Sequence, residues 1–119
     1  MSSIDFHCIY DGVTVGEAFR NGVQDAFYWH GHNGYTGTIC EKPGYVLLDL
    51  GKKLSVGEAE EIANELNLSW QIPTPRLIEI IGDESRASEF SNLFNDKWND
   101  AIAMQVDDNS WYFCGLASE

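Results

Sequence analysis

The densest group of possible metal ligands lies between His30 and Lys42, in the sequence HGHNGYTGTICEK. His30, His32 and Cys40 supply imidazole and thiolate groups, which are the ligands that zinc prefers in proteins. A structural zinc site usually pairs its ligands at tight spacing, as in C-x-x-C with H-x-x-x-H, and this segment offers only one H-x-H pair. We therefore expect no metal and no cofactor. His30 suits a helix C-terminus, and Cys40 is predicted to lie on a strand as a small apolar residue.

The same segment carries three glycines at a spacing of three, Gly31, Gly34 and Gly37, and glycine-rich loops hold phosphate groups in many proteins. Such a loop follows a strand and opens a helix, because the N–H groups of the helix N-terminus hold the anion. Here the order is reversed, since a predicted helix ends and a predicted strand begins. We interpret the glycines as a helix C-cap at Gly31, a turn and a position of close packing.

A thiol nucleophile is the third chemistry that these residue types allow. Cys40 or Cys114 could pair with His7, His30 or His32, because catalytic groups assemble in space and not along the sequence. No sequence feature marks a thiol with a lowered pKa. The calcium-loop pattern D-x-D-x-D-G-x5-E is also missing from the acidic segments. The sequence therefore predicts no catalytic residues.

Composition and charge restrict the classes of partner. The chain has 119 residues, 44% hydrophobic and 13% aromatic, which is enough apolar surface for a single domain, 1–119. Nineteen acidic residues against seven basic ones give a net charge of −12, with −2 in residues 1–53 and −10 in residues 54–119. Such a chain repels nucleic acid and anionic membranes and attracts basic protein surfaces. We expect the second half of the chain to bind a basic partner.

The sequence also carries an expectation about the compartment. No apolar run approaches the roughly 20 residues of a membrane helix, and no charged-then-apolar signal segment opens the chain. Cys8, Cys40 and Cys114 are an odd number without a spacing motif. We expect a cytoplasmic protein with reduced thiols.

Periodicity predicts the elements of the first half. Residues from Ile4 to Gly12 alternate as a half-buried strand does and end on a turn. A helical period follows over about Val15 to Trp29, with Thr14 as the N-cap. The runs from Tyr35 to Glu41 and from Tyr45 to Gly51 are rich in β-branched and aromatic residues across a Pro-Gly joint, which predicts an antiparallel hairpin.

The second half is predicted to hold two helices and a hairpin. A capping box at Ser55 to Glu58 opens the first helix, and Ser85 is predicted to cap the second. Arg76 to Gly82 is interpreted as a short strand or a buried turn. The runs Ala101 to Val106 and Trp111 to Ala117 flank a tight connection. The predicted fold class is α+β, with a small, mainly antiparallel sheet and two or three helices packed on one face.

Two segments resemble a loose group of small phage-encoded proteins of unknown function. GHNGYTGTICEK (Gly31 to Lys42) matches their pattern G-H-x-G-Y-x-G-T-I-x-E-K, and WYFCGLAS (Trp111 to Ser118) matches their closing W-x-F-x-G-x-A-S strand. The matches cover about a sixth of the chain and transfer no functional residue. The resemblance implies a phage or mobile-element protein in a bacterial cytoplasm. Both segments are predicted to be strands that pair or neighbour each other in the centre of the sheet.

Charge, size and resemblance together predict an inhibitor of the anti-CRISPR or anti-restriction type. It would bind a basic, nucleic-acid-binding surface of a host defence nuclease complex by imitating phosphates. There are two alternatives. One is an immunity protein against a nuclease toxin, and the other is a small-molecule-binding protein or enzyme that uses the loop from His30 to Tyr35. The predicted contact residues are Glu58, Glu60, Glu61, Glu65, Asp83, Glu84, Glu89, Asp96, Trp98 and Asp100.

Overall fold

Residues 2–31 and 33–119 are described by a computed structural model with four strands and four α-helices. In chain order the elements are β1 (Ser3–Asp11), α1 (Val15–His30), a 3-10 turn (Ile39–Glu41), β2 (Tyr45–Leu47), α2 (Val56–Leu68), α3 (Pro75–Ile81), α4 (Glu84–Phe94), β3 (Ala101–Asp107) and β4 (Ser110–Ser118). The predicted α+β class is confirmed.

The sheet has the order β1-β4-β3-β2 and is mainly antiparallel. β1 pairs with β4 along its whole length, from Ser3 opposite Ser118 to Asp11 opposite Ser110. The predicted hairpin of β3 and β4 is confirmed, with a register shift between Gln105 and Asp107. β2 pairs parallel to β3 at the other edge. The chain's first and last strands therefore lie side by side, and β3 and β4 occupy the centre.

The predicted hairpin between Tyr35 and Gly51 is wrong. Gly34, Tyr35 and Gly37 all have positive φ angles, of 75°, 58° and 70°, which an extended strand does not tolerate. The Thr36 hydroxyl donates to the Glu41 carboxylate at 2.7 Å, so side chains of this loop form hydrogen bonds with one another instead of leaving the loop to pair as a strand. The segment is a loop that ends in the 3-10 turn, and only Tyr45–Leu47 forms a strand.

The two helices with clear capping signals are confirmed. Thr14 caps α1 by accepting from the N–H of Glu17 at 3.2 Å, and the N–H of Gly31, at φ 82°, closes the helix on the Phe27 carbonyl at 2.9 Å. In α2 the capping box is complete, because Ser55 and Glu58 each accept a hydrogen bond from the other's backbone N–H. Its buried stripe is the predicted one, Ala59, Ile62, Ala63 and Leu66.

Two predictions in the following segment are wrong. Residues 75–81 form helix α3 and not a strand or buried turn: Thr74 caps it, Pro75 occupies its first turn and left-handed Gly82 ends it. The N-cap of α4 is Asp83 and not Ser85. Asp83 Oδ1 accepts from the N–H of Ser85 at 2.8 Å and from that of Arg86 at 3.3 Å, since a carboxylate is the stronger acceptor at a helix N-terminus.

Helices cover both faces of the sheet. Helices α2, α3 and α4 pack on the face that carries Ile102, Met104 and Cys114, as the prediction of two or three helices on one face requires. Helix α1, which the sequence also predicted, packs instead on the opposite face, where Ala103 and Phe113 are fully buried. Alternation along β3 and β4 thus sends apolar side chains into two separate cores.

Candidate partner-binding surface

The predicted carboxylates fall into two groups in the structure. We call α2, α3 and α4 with their outward-facing side chains the acidic layer; its helices contact one another on one face of the sheet. Residues 56–94 carry eight carboxylates against two guanidinium groups, a net charge of −6. The layer contains Glu58, Glu60, Glu61, Glu65, Asp83, Glu84 and Glu89. Asp96, Trp98 and Asp100 lie instead on the loop between α4 and β3.

Three of the four carboxylates on α2 already have partners within the chain. Glu58 Oε2 lies 3.4 Å from the Lys52 ammonium, and its pKa is lowered first by the backbone N–H of Ser55. Arg76 lies 2.6 Å from Glu61 Oε1. These exposed ion pairs contribute little to stability but reduce the free charge of the helix. The hydroxyl of Thr74 donates to Glu65 at 2.7 Å.

Glu60, Glu84 and Glu89 are the carboxylates of the acidic layer that have neither an ion pair nor a side-chain hydrogen bond to another described residue. Among the residues that the structure describes, none of the three has a cation within 4.0 Å. Arg86, on the same helix as the last two, donates instead to the carbonyl oxygen of Asp49 at 2.7 Å and lies over the ring of Phe90. These three carboxylates are therefore free to bind an external cation.

The loop of residues 95–100 is fixed by a buried lysine. Lys42 is only 5% exposed, and its ammonium donates to the carbonyl oxygens of Asn99 at 2.9 Å and of Asp96 and Lys97 at 3.4 Å each. Burial lowers the pKa of Lys42 to about 8, while the carboxylates of Asp96 and Asp100 act in the opposite direction. Trp98, on this loop, stays 58% exposed.

The two segments that carry the phage resemblance meet in space, although the first is not a strand. The N–H of Gly37 donates to the Ser118 carbonyl oxygen at 2.8 Å. A Cβ at Gly115 would lie 3.4 Å from Cε of Lys42, so this glycine leaves room for the lysine chain. The prediction of two strands paired in the sheet centre is therefore wrong for Gly31 to Lys42, whereas Trp111 to Ser118 does form central strand β4.

Exposed apolar residues beside the acidic layer were not predicted as contacts. Trp70 is 63% exposed and Ile72 is 77% exposed, on the loop between α2 and α3. The sequence signal was present, since SWQIP places a tryptophan directly after the predicted helix and three residues before a proline. Large side chains held outside the core in this way are typical anchors of protein interfaces.

Of the described residues considered for metal or thiol chemistry, His7 and Cys114 lie opposite each other in the β1–β4 ladder, whereas His30 and Cys40 lie elsewhere in the fold. Cys40 lies in the 3-10 turn and not on a strand, with its Sγ 3.0 Å from the Thr38 hydroxyl. His30 is exposed, and His32 lies outside the described residues. Within 2–31 and 33–119 no group of three or more His, Cys, Asp or Glu side chains could hold a metal ion. Burial raises the pKa of Cys114 far above its ordinary value, so this thiol stays protonated at neutral pH.

Comparisons of the chain with protein-family models, with curated proteins and with solved structures found no match. In the part of the chain that the structure describes, no helix is long and apolar enough to cross a membrane. The phage resemblance of the two segments stays a prediction.

Proposed function

We propose that the protein is a phage or mobile-element inhibitor that binds the basic, nucleic-acid-binding surface of a host defence nuclease complex. The observation that carries this proposal is the net charge of −6 on the acidic layer, in which Glu60, Glu84 and Glu89 have no ion pair or side-chain hydrogen bond with another described residue. A basic groove selected to bind phosphates presents the complementary charge. The chain therefore competes with nucleic acid for that groove.

Exposed tryptophans give this surface a source of affinity besides charge. Electrostatic steering mainly raises the association rate, whereas affinity depends on a few desolvated anchors. Trp70 borders the acidic layer, and Trp98 lies on the loop that Lys42 fixes. We expect rapid, salt-sensitive association, followed by burial of one or both indole rings.

The structure changes which substitutions test the proposal. Glu58, Glu61 and Glu65 are capped or paired within the chain, so reversing them would disturb α2 itself. Glu84→Lys with Glu89→Lys alters the free carboxylates of α4 instead. The matched control is Glu17→Lys with Asp107→Lys, which makes the same change in net charge outside the layer; Glu17, like Glu84, lies in the first turn of its helix.

The experiment captures partners from a host lysate with the wild type and with both double variants, at low and high salt. The captured protein is then purified and tested for competition between this chain and duplex DNA or RNA. We expect capture of a nucleic-acid-binding protein by the wild type and the control, and loss of capture in the layer variant and at high salt. Equal capture by both variants, or a partner that still binds nucleic acid in the complex, refutes the proposal. A toxin nuclease as the partner assigns the immunity function instead.

A further inference from the structure

Strand β1 lies at one edge of the sheet, and β4 is the only strand of the described residues that pairs with it. The N–H of Glu119 donates to the Ser2 carbonyl oxygen at 3.3 Å, and the N–H of Gly12 donates to that of Asn109 at 2.9 Å. In an antiparallel pair, alternate residues direct their backbone N–H and C=O groups toward the partner strand. These two bonds therefore show which residues of β1 bond to β4. Even-numbered residues of β1 therefore bond to β4. The backbone groups that point away from the sheet belong to Ser3, Asp5, His7, Ile9 and Asp11.

This outer row of backbone groups is open. At Asp11 the carbonyl oxygen accepts from the Asn21 side chain at 2.9 Å. For the other four residues, no hydrogen bond joins their backbone to another described residue. β1 is nine residues long, unbroken in register, and free of the proline, lysine or bulge that commonly protects an edge. The opposite edge strand, β2, is only three residues long.

Grooves flank this open edge on both faces of the sheet. On the α2 side a groove of about 240 Å³ is lined by Asp5, His7 and Glu60 among others. On the α1 side a second groove, of about 190 Å³, is lined by ring and apolar groups, among them Tyr10 and Trp29, and by the carboxylate of Asp25, which accepts from the Tyr10 hydroxyl at 2.8 Å. Alternate side chains of an added strand would enter these two grooves in turn. The first groove presents two carboxylates to a cation, whereas the second presents mainly apolar surface around a carboxylate that is already hydrogen-bonded.

We infer that β1 binds an extended segment of a basic partner protein as a fifth strand of the sheet, with Lys or Arg side chains on the α2 side. Residues of the added strand that lie opposite Asp5 and Asp11 face carboxylates, and Glu60 reinforces the first of these positions. A second copy of the chain is a poorer occupant, because it brings another net charge of −12 to the same edge. This surface goes beyond the proposed function, since the open row of β1 carries it and Glu60 is the one residue of the acidic layer that it uses.

The test uses two synthetic nonapeptides, one alternating lysine and valine (KVKVKVKVK) and one with the same residues in two blocks (KKKKKVVVV). Hydrogen exchange of single amides is followed by NMR with and without each peptide. We expect the alternating peptide to slow exchange about tenfold or more at Asp5, His7 and Ile9, because these amides gain a partner. Exchange at Phe6 and Cys8, which already bond to β4, is expected to stay unchanged. The block peptide is expected to protect none of these amides.

A pair of substitutions at one position separates backbone pairing from side-chain attraction. His7→Pro removes an N–H that points away from β4, so the β1–β4 ladder is kept while the edge is blocked. His7→Thr removes the imidazole but keeps the N–H. We expect the proline variant to bind the alternating peptide about tenfold more weakly than the threonine variant. Glu84→Lys with Glu89→Lys is expected to leave peptide binding intact, which separates this surface from the proposed function.

Several results would overturn the inference. The first is that the alternating peptide leaves the outward amides of the wild type unprotected from exchange. The second is that the two His7 variants bind the peptide equally. The third is that the protein forms a dimer whose outward amides are protected without any peptide. If the proline variant does not fold, the exchange pattern of the wild type with the two peptides decides alone.

Discussion

The ammonium nitrogen of Lys42 lies 2.9 Å from the carbonyl oxygen of Asn99, fifty-seven residues further along the chain. This bond, with the two to Asp96 and Lys97, attaches the loop before β3 to the end of the glycine-rich segment. Trp98 is held outside the core between these anchored carbonyl groups. The segment that looked like a ligand site therefore serves to position a candidate contact residue.

Lys42→Met is expected to lower the free energy of unfolding by about 2–3 kcal/mol, because three carbonyl oxygens lose their donor at a buried position. The methionine keeps the length of the apolar chain, so the loss reports the hydrogen bonds. Urea unfolding measures it, and the indole N–H resonance of Trp98 is expected to shift as the loop loosens. Lys53→Met, at an exposed lysine paired with Asp108, is the control and should leave the unfolding midpoint unchanged. Equal unfolding midpoints for the two variants would show that the three hydrogen bonds of Lys42 do not stabilise the fold.

The same lysine predicts a pH dependence. Burial lowers the pKa of Lys42 from 10.5 to about 8 in the folded chain, and the unfolded chain keeps the ordinary value. Between these pH values unfolding takes up a proton, so the folded state gains stability as the pH rises. The gain is at most about 3 kcal/mol and is absent below pH 8. It is measured as the difference between wild type and Lys42→Met in urea midpoints across this window. A difference that is flat or falls with pH contradicts the assignment.

The sequence predicted those elements whose signals are local. Thr14 and the Ser55–Glu58 box marked α1 and α2 because a cap acts within one turn. The Thr36 to Glu41 segment has strand propensity, but positive φ angles at Gly34 and Gly37 and side-chain hydrogen bonds override it. The short apolar run of α3 has no clear period, and its Thr-Pro start and Gly end were the better signals.

For the candidate site, the sequence identified the types of residue but not their ion-pair and hydrogen-bond partners within the chain. The acidic excess of the second half identified the carboxylates, but the pairing of Glu61 with Arg76 depends on how α2 meets α3. Lys42 could not be recognised from composition, because a lysine is rarely buried unless several acceptors converge on it. The parallel pairing of β2 with β3 likewise joins residues far apart in sequence.

The corrected cap of α4 leads to a direct comparison. Asp83→Ala is expected to lower the free energy of unfolding by about 1 kcal/mol, because the Asp83 carboxylate accepts from two backbone N–H groups at the start of the helix. Ser85→Ala is expected to cost little, since Ser85 is exposed and only its N–H takes part in the cap. Thermal or urea unfolding of the two variants measures the difference. A larger loss at Ser85 would restore the cap that the sequence predicted.

Two helical glycines should respond in opposite directions to the same substitution. A Cβ at Gly22 of α1 would lie 2.7 Å from Cδ2 of Tyr10, so Gly22→Ala is expected to destabilise the protein by about 1–3 kcal/mol as the helix is pushed from β1. At Gly57 of α2 the nearest atom to an added Cβ is the Ser55 hydroxyl at 3.9 Å. Alanine at this position restricts the unfolded chain without a clash in the folded one, so Gly57→Ala is expected to raise the free energy of unfolding by about 0.5 kcal/mol. Urea unfolding of both variants gives the two signs, and a gain at Gly22 would mean that α1 does not pack this closely on Tyr10.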